Sequence, residues 1–296
     1  MKTTWIVGTR GSKLALAQAR IVIDALKGAH PGHTFEVKLI KTTGDTVWDK
    51  PLAAIGGKGV FVKEIEDELA RGSIDLAVHS TKDIPADLAE GLTIEGFLKR
   101  EDPRDVFIST RLKDIGELIP GCRIGTGSLR RKAQILRHRP GITVVPVRGN
   151  VDTRLRKMDA EGLDGIILAA AGIRRLGLHT SITQIIPADI MVPSAGQGAI
   201  GIEVRRDDEA AALVRPINHT NTYNEVTIER AIQAAIGGGC NIPLGINARI
   251  EGDRIDLNLS LGNEEGATLA HEALSASISD TDTLISLAIN ILLGHR

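Results

Sequence analysis

Two residues in this 296-residue chain have the type and setting for covalent or proton chemistry, Asp83 and Cys240. Asp83 lies in Ala77-Val-His-Ser-Thr-Lys82-Asp83-Ile-Pro85. An apolar strand there would deliver a lysine and a carboxylate to its carboxyl end, and the proline would stiffen the exit. Such a carboxylate can stabilise a developing cation or pass a proton to a leaving amine. On spacing alone, a loop aspartate that caps a helix is the commoner outcome. Cys240 lies in Gly237-Gly-Gly-Cys240-Asn-Ile-Pro243. An uncrowded loop thiol can carry a large group or be reached by one, reacting as the thiolate. Cys122, in an apolar run, reads as an unreactive small residue.

Cations cluster at glycine-rich turns. Gly8-Thr-Arg10-Gly-Ser12, Gly56-Gly-Lys58-Gly59 and Gly125-Thr126-Gly127-Ser128-Leu-Arg130-Arg131 all fall at predicted strand–helix junctions. There, backbone N–H groups and a helix N-terminus can face an anion. For any one of these turns, a tight bend with no ligand is the plainer explanation. None completes a nucleotide motif, because Arg130 stands where the dinucleotide fingerprint needs a third glycine. Glycine with arginine instead suits carboxylates, which take bidentate guanidinium contacts. Arg148 and Arg154 extend the set, whereas Arg137, Arg139, Arg156 and Lys157 read as a solvated helix face. Residues 121–157 hold ten Lys or Arg against Asp152 alone, although the whole chain has a net charge of −1. That imbalance points to a local anionic ligand rather than a general affinity for nucleic acid. Aromatic residues make up only 2%, too few for base stacking to dominate. The histidines show no H-x-x-x-H spacing and the cysteines no C-x-x-C, so no metal is expected.

The elements that must position these groups follow from periodicity. Strands are predicted over residues 5–8, 34–41 and 74–79, with helices over 12–28 and 62–71. Leu14, Ala17, Ile21 and Leu26 give the first helix its apolar spacing, and Ser12 can cap it. After Glu101-Asp102-Pro103 the pattern restarts, with strands at 105–109, 122–125, 143–147 and 164–169 and helices at 128–138 and 150–160. This rhythm predicts α/β architecture with mainly parallel, doubly wound sheets. A strand over 199–204, after Gly196-Gln197-Gly198, would return the chain to the first sheet. The remainder reads as a helix (221–236), antiparallel strands (244–250, 254–261, 268–276) and a final helix. Three domains are therefore expected: 1–99 plus 199–216, 103–193, and a small α+β domain at 220–296. Ligands of open α/β sheets bind beyond the carboxyl ends of strands, where Arg10, Arg130, Arg131 and Arg148 fall. No apolar run reaches the roughly 18 residues of a membrane span. No signal segment is visible either, so a cytoplasmic protein is expected.

Together these motifs resemble the porphobilinogen deaminase (hydroxymethylbilane synthase) family over nearly the whole chain. Added to those above are Phe61-Val-Lys-Glu64, Arg100-Glu-Asp-Pro-Arg104-Asp105, Arg148-Gly-Asn150-Val-Asp-Thr-Arg154, Ala195-Gly-Gln197-Gly198 and Gly238-Gly-Cys240-Asn-Ile-Pro243. The resemblance implies two lobes like periplasmic binding proteins and a third domain carrying the cysteine. It implies a transferase of tetrapyrrole biosynthesis that joins four porphobilinogen molecules head to tail, releases ammonia and yields linear hydroxymethylbilane. A dipyrromethane cofactor would hang from Cys240 by a thioether, and Asp83 would be catalytic. Lys82, Thr126, Ser128, Arg130, Arg131 and Arg148 would bind the cofactor. Arg10, Ser12, Lys58, Arg148, Arg154, Arg175 and Gln197 would bind substrate. The family expectation is a monomer. Three positions depart from the family pattern: Ala54 for a frequent lysine, Gly127 for a usual serine and Thr81 for a common methionine. The rival readings are a non-catalytic cleft-type protein for organic anions and a nucleic-acid binder. The first has no use for Asp83 or Cys240, and the second lacks the aromatics and net charge.

Overall fold

A sequence this poor in aromatics must build its interior from branched aliphatics, and it does so in sheets covered by helices. The computed structural model describes residues 2–46, 59–237, 242–263 and 265–295. In chain order come β1 (Thr4–Arg10), α1 (Lys13–Ala29), β2 (Thr34–Ile40), α2 (Thr43–Thr46), α3 (Lys63–Ala70), β3 (Leu76–Ser80) and β4 (Leu92–Phe97). Next are β5 (Asp105–Ile108), β6 (Arg123–Gly125), α4 (Leu129–His138), β7 (Thr143–Val145), α5 (Val151–Ala160), β8 (Gly165–Ala169), α6 (Ala170–Arg175) and β9 (Gln184–Ile185). The last are β10 (Ile200–Arg205), α7 (Glu209–Val214), α8 (Thr220–Ala235), β11 (Leu244–Glu251), β12 (Arg254–Gly262), β13 (Thr268–Ser277) and α9 (Thr281–Gly294).

One compact unit comprises Met1–Glu101 and Ala199–Asn224. Its sheet has the order β2-β1-β3-β10-β4. Alternation along β3 explains its burial on both faces. Leu76 and Val78 pack with Val22, Ile23 and Leu26 of α1. Ala77 packs with Ile65 and Leu69 of α3. β10 pairs antiparallel with both β3 and β4, so the chain returns to this sheet as expected.

The other unit comprises Asp102–Gly198 and Glu225–Arg296. Its five-stranded sheet, β7-β6-β8-β5-β9, repeats the order of the first, with β5 as the antiparallel strand. A separate three-stranded antiparallel sheet, β11-β12-β13, completes it. Ile228, Ile232 and Ile236, together with Leu284, Ala288 and Leu292 of α9, bury Ile246, Ile255, Leu257 and Leu259 of that sheet.

The fold is therefore α/β with two doubly wound sheets, plus a small α+β region. Each large sheet is mainly parallel but carries one reversed strand. A strand buried on both faces reads the same in either direction, so periodicity does not reveal the reversal. β4, α6 and α7 are also silent in the sequence pattern; each spans six residues, too few for a clear period. Among the described residues no helix is long and apolar enough to cross a membrane.

Candidate active site

In the first unit, β1 and β3 are parallel neighbours, with Val7 opposite Leu76. Their carboxyl ends therefore share one edge of the sheet, which brings Arg10 and Ser12 to the same edge as Lys82 and Asp83. Ser12 caps α1 as expected, its Oγ accepting from the Ala15 N–H at 3.2 Å. The Arg10 guanidinium stacks over the Phe61 ring, 4.1 Å from its centroid. Lys82 and Asp83 lie in a single 3-10 turn after β3 and are half-buried. Gln18 of α1 and Ser80 exchange hydrogen bonds at 2.9 and 3.0 Å, tying the helix to the end of β3. Thr81 holds the turn from the other side: its N–H and hydroxyl both donate to Ala199 O, at 3.2 and 3.1 Å. A methionine could not make the second bond, so the threonine here has a structural use. Below the turn, His79 and Glu203 form a buried pair at 2.9 Å. Among the described residues, the Asp83 carboxylate makes no hydrogen bond or ion pair.

In the second unit, β6 ends at Gly125 and leads through Thr126 and Gly127 into α4. Ser128 caps that helix, its Oγ accepting from the Arg131 N–H. The Thr126 hydroxyl accepts from the Ser128 N–H at 3.2 Å. A Cβ on Gly127 would lie 2.9 Å from Val147 O. The serine usual in the family would therefore press on main chain here, which gives the glycine a steric reason. β7 stops at Val145, earlier than predicted, so Arg148 lies in the following loop rather than on the strand. Gly149 has φ +117°, and Arg154 Nε donates to its carbonyl at 2.7 Å. Arg175, on α6, donates to Gly198 O. Of the cations read as a solvated face, Arg139 instead secures a loop, its Nε donating to Ile115 O at 2.9 Å.

The arginines of α4 converge on a residue that sequence reasoning named only within a motif, Asp105. Arg130 and Arg131 are each 4% exposed, and Asp105 is 0% exposed. Arg130 Nη1 lies 2.8 Å from Asp105 Oδ2, and Arg131 Nη2 lies 2.9 Å from Oδ1. Gln197 Nε2 donates to Asp105 Oδ1 at 2.8 Å and to Pro103 O at 2.7 Å. Burial alone would raise the Asp105 carboxyl. The charges of Arg130 and Arg131, with hydrogen bonds from Arg130 and Gln197, outweigh it and hold the group well below the usual carboxylate range. Burial pulls Arg130 down from the usual guanidinium value, against the opposing charge of Asp105. The signal for Asp105 was an acid opening the otherwise apolar strand Asp105-Val-Phe-Ile108. Glu229 was also missed. It is buried on α8 and accepts from the Gly196 N–H at 2.7 Å and the Ala248 N–H at 2.8 Å, bracing the turn that carries Gln197.

The donor set of Thr126, Ser128, Arg130, Arg131, Arg148 and Arg154 consists of hydroxyls and guanidiniums, which fits a ligand bearing carboxylates. Cys240 and Lys58, along with Ala54, lie outside the described residues.

Comparison with known proteins agrees with this chemistry. A family model described as porphobilinogen deaminase, dipyromethane cofactor binding domain, matches residues 5–212. A second, porphobilinogen deaminase, C-terminal domain, matches residues 223–291. A porphobilinogen deaminase of Roseiflexus is 48% identical, over 90% of this chain and 88% of that one. Those of Syntrophus aciditrophicus (45%, over 97% of this chain and 95% of that) and Geobacter sulfurreducens (44%, over 98% and 92%) are similar across nearly their full length. Among solved structures, a methionine-bound nutrient binding protein of Burkholderia cenocepacia is similar at 11% identity and TM-score 0.44, over 79% of this chain and 97% of that one. That likeness adds nothing to what the strand order already shows. With both family models matched and close relatives aligned from end to end, the chain belongs to the porphobilinogen deaminase family.

Proposed function

We propose that the enzyme condenses four porphobilinogen molecules head to tail, releasing ammonia at each step, with Asp83 as its catalytic carboxylate and linear hydroxymethylbilane as its product. The observation that carries this reading is Asp83 itself: half-buried at the carboxyl end of a strand, and without an internal partner among the described residues. The substrate's protonated amine leaves as ammonia when its C–N bond breaks, and the positive charge passes to the remaining methylene carbon and its pyrrole. A carboxylate fixed beside the pyrrole stabilises the charge more in the transition state, where it spreads over the ring, than in the ground state, where it sits on the amine, and that difference lowers the barrier. Internal pairing would have spent the carboxylate on the fold.

Lys82, Thr126, Ser128, Arg130, Arg131 and Arg148 would hold the dipyrromethane cofactor through its carboxylates, with Cys240 as the covalent tether. When bound, the cofactor supplies the pyrrole carbon to which the first substrate is joined, so each addition has an acceptor already in place. Arg10, Ser12, Lys58, Arg148, Arg154, Arg175 and Gln197 would bind the acetate and propionate groups of substrate and growing chain. Every pyrrole adds two carboxylates, which accounts for the number of cations. A monomer working in the cytoplasm completes the proposal.

Asp83→Asn tests it. The variant should keep the mass excess of one dipyrromethane over the 31.6 kDa chain. Its turnover of porphobilinogen should fall by about 10²–10⁴-fold. A variant with near-normal turnover would show that another group does the work.

A further inference from the structure

We propose that Asp105 is a positioning residue for ligand binding, setting the direction of Arg130, Arg131 and Gln197 and cancelling one of their two positive charges. The proposal rests on the assignment of those three side chains to carboxylates of cofactor and substrate.

The topology of β5 puts Asp105 in place. β5 runs antiparallel to β8, with Asp105 opposite Ala169. The first residue of the reversed strand therefore lands at the carboxyl end of its neighbour, on the edge where open α/β sheets bind ligands. Each of the three side chains is then fixed at two points, once by Asp105 and once by a main-chain carbonyl. Arg130 Nη1 also donates to Val192 O at 2.7 Å. Arg131 places Nε and Nη2 on Asp105 Oδ1, at 3.1 and 2.9 Å, and Nη1 on Ile167 O at 3.1 Å. Gln197 uses Pro103 O as its second point. A guanidinium has five N–H groups in a rigid fork; engaging Nε, Nη1 and Nη2 sets the direction of Arg131, while Arg130 is held through Nη1 alone, between Asp105 and Val192 O.

The charge count matters as much as the geometry. Arg130 and Arg131 are consecutive, buried and of like charge. Unbalanced, they would repel each other and turn towards solvent. With Asp105 between them the group keeps a net charge of +1, enough to favour a carboxylate while remaining buried. An ion pair serving the fold alone would leave ligand binding untouched when neutralised, and that difference is measurable.

The experiment compares Asp105→Asn with Arg131→Gln, both purified as holoenzyme. KM and kcat for porphobilinogen, the fraction carrying dipyrromethane by intact mass, and the melting temperature are measured for each. Asp105→Asn should raise KM by about tenfold and lower cofactor occupancy, with kcat changed much less. A folded Asp105→Asn enzyme with unchanged KM and full occupancy, beside an impaired Arg131→Gln, would overturn this inference alone. If Arg131→Gln is itself unimpaired, the arginine assignment fails, and this inference falls with it. Should Asp105→Asn not fold, the double variant Asp105→Asn/Arg131→Gln removes one charge of each sign. It should fold, with a KM at least about threefold above that of Arg131→Gln, because Arg130 and Gln197 have lost their anchor. Equal KM values in those two variants would reduce Asp105 to a structural ion pair.

Discussion

The Asp105 carboxylate is fully buried, ion-paired with two guanidiniums and accepting from an amide, whereas that of Asp83 is half-buried with no such partner among the described residues. The same functional group is thus committed to the fold in one case and, on the proposed function, available to substrate in the other. The difference has a thermodynamic signature. Asp105 has its folded pKa depressed below the unfolded value of about 3.9. Its contribution to stability is therefore complete above that unfolded value, and is lost as pH falls towards the folded one. Asp102 behaves with the same sign: burial would raise it, but hydrogen bonds and charge from Arg104, with the charge of Arg174, leave it lowered. Urea unfolding should accordingly show stability falling as pH drops below about 4, and Asp105→Asn should flatten that fall. An unchanged slope in the variant would place the acid sensitivity elsewhere. Sequence distinguished Asp83 through its motif, yet gave no sign that its carboxylate has no partner among the described residues, because partners come from strands distant in the chain.

Elements carry the next level of control. Ser12 caps α1 as its spacing predicted, Ser128 caps α4 in the same way, and both helices begin at the glycine turns where the cations lie. Those features depend on residues within one turn of each other, so a local reading finds them. The reason for Gly127 is not local. Its Cβ position is crowded at 2.9 Å by the Val147 carbonyl, which arrives on the segment after β7, a parallel neighbour of β6. Gly127→Ser should therefore destabilise the enzyme by about 1–3 kcal/mol, read as a lower urea midpoint at unchanged slope. Wild-type stability in that variant would mean that the turn before α4 shifts freely. Likewise, β7 ends at Val145, which leaves Arg148 in the loop before α5 rather than at a strand end.

For the molecule as a whole, the cofactor is part of what must be stable. A tethered anionic ligand bound by the native state alone shifts the folding equilibrium towards it. Cys240→Ser should yield a protein whose mass equals the bare chain and which melts several degrees below the holoenzyme. Identical melting curves would show that the cations need no ligand to remain buried.

Sequence by itself determined the α/β class, the family, and which residue types gather at the turns: a lone loop thiol, an acid after a buried strand, and arginines beside glycines. Those are properties of composition and short spacing, and they survive without coordinates. Only the tertiary structure decided how the charges are shared. The reversal of β5 brings Asp105 under Arg130 and Arg131, and the pairing of β1 with β3 gathers Arg10, Ser12, Lys82 and Asp83 on one edge. Strand direction and strand neighbours are set by contacts between distant segments, and buried apolar strands carry no local mark of either.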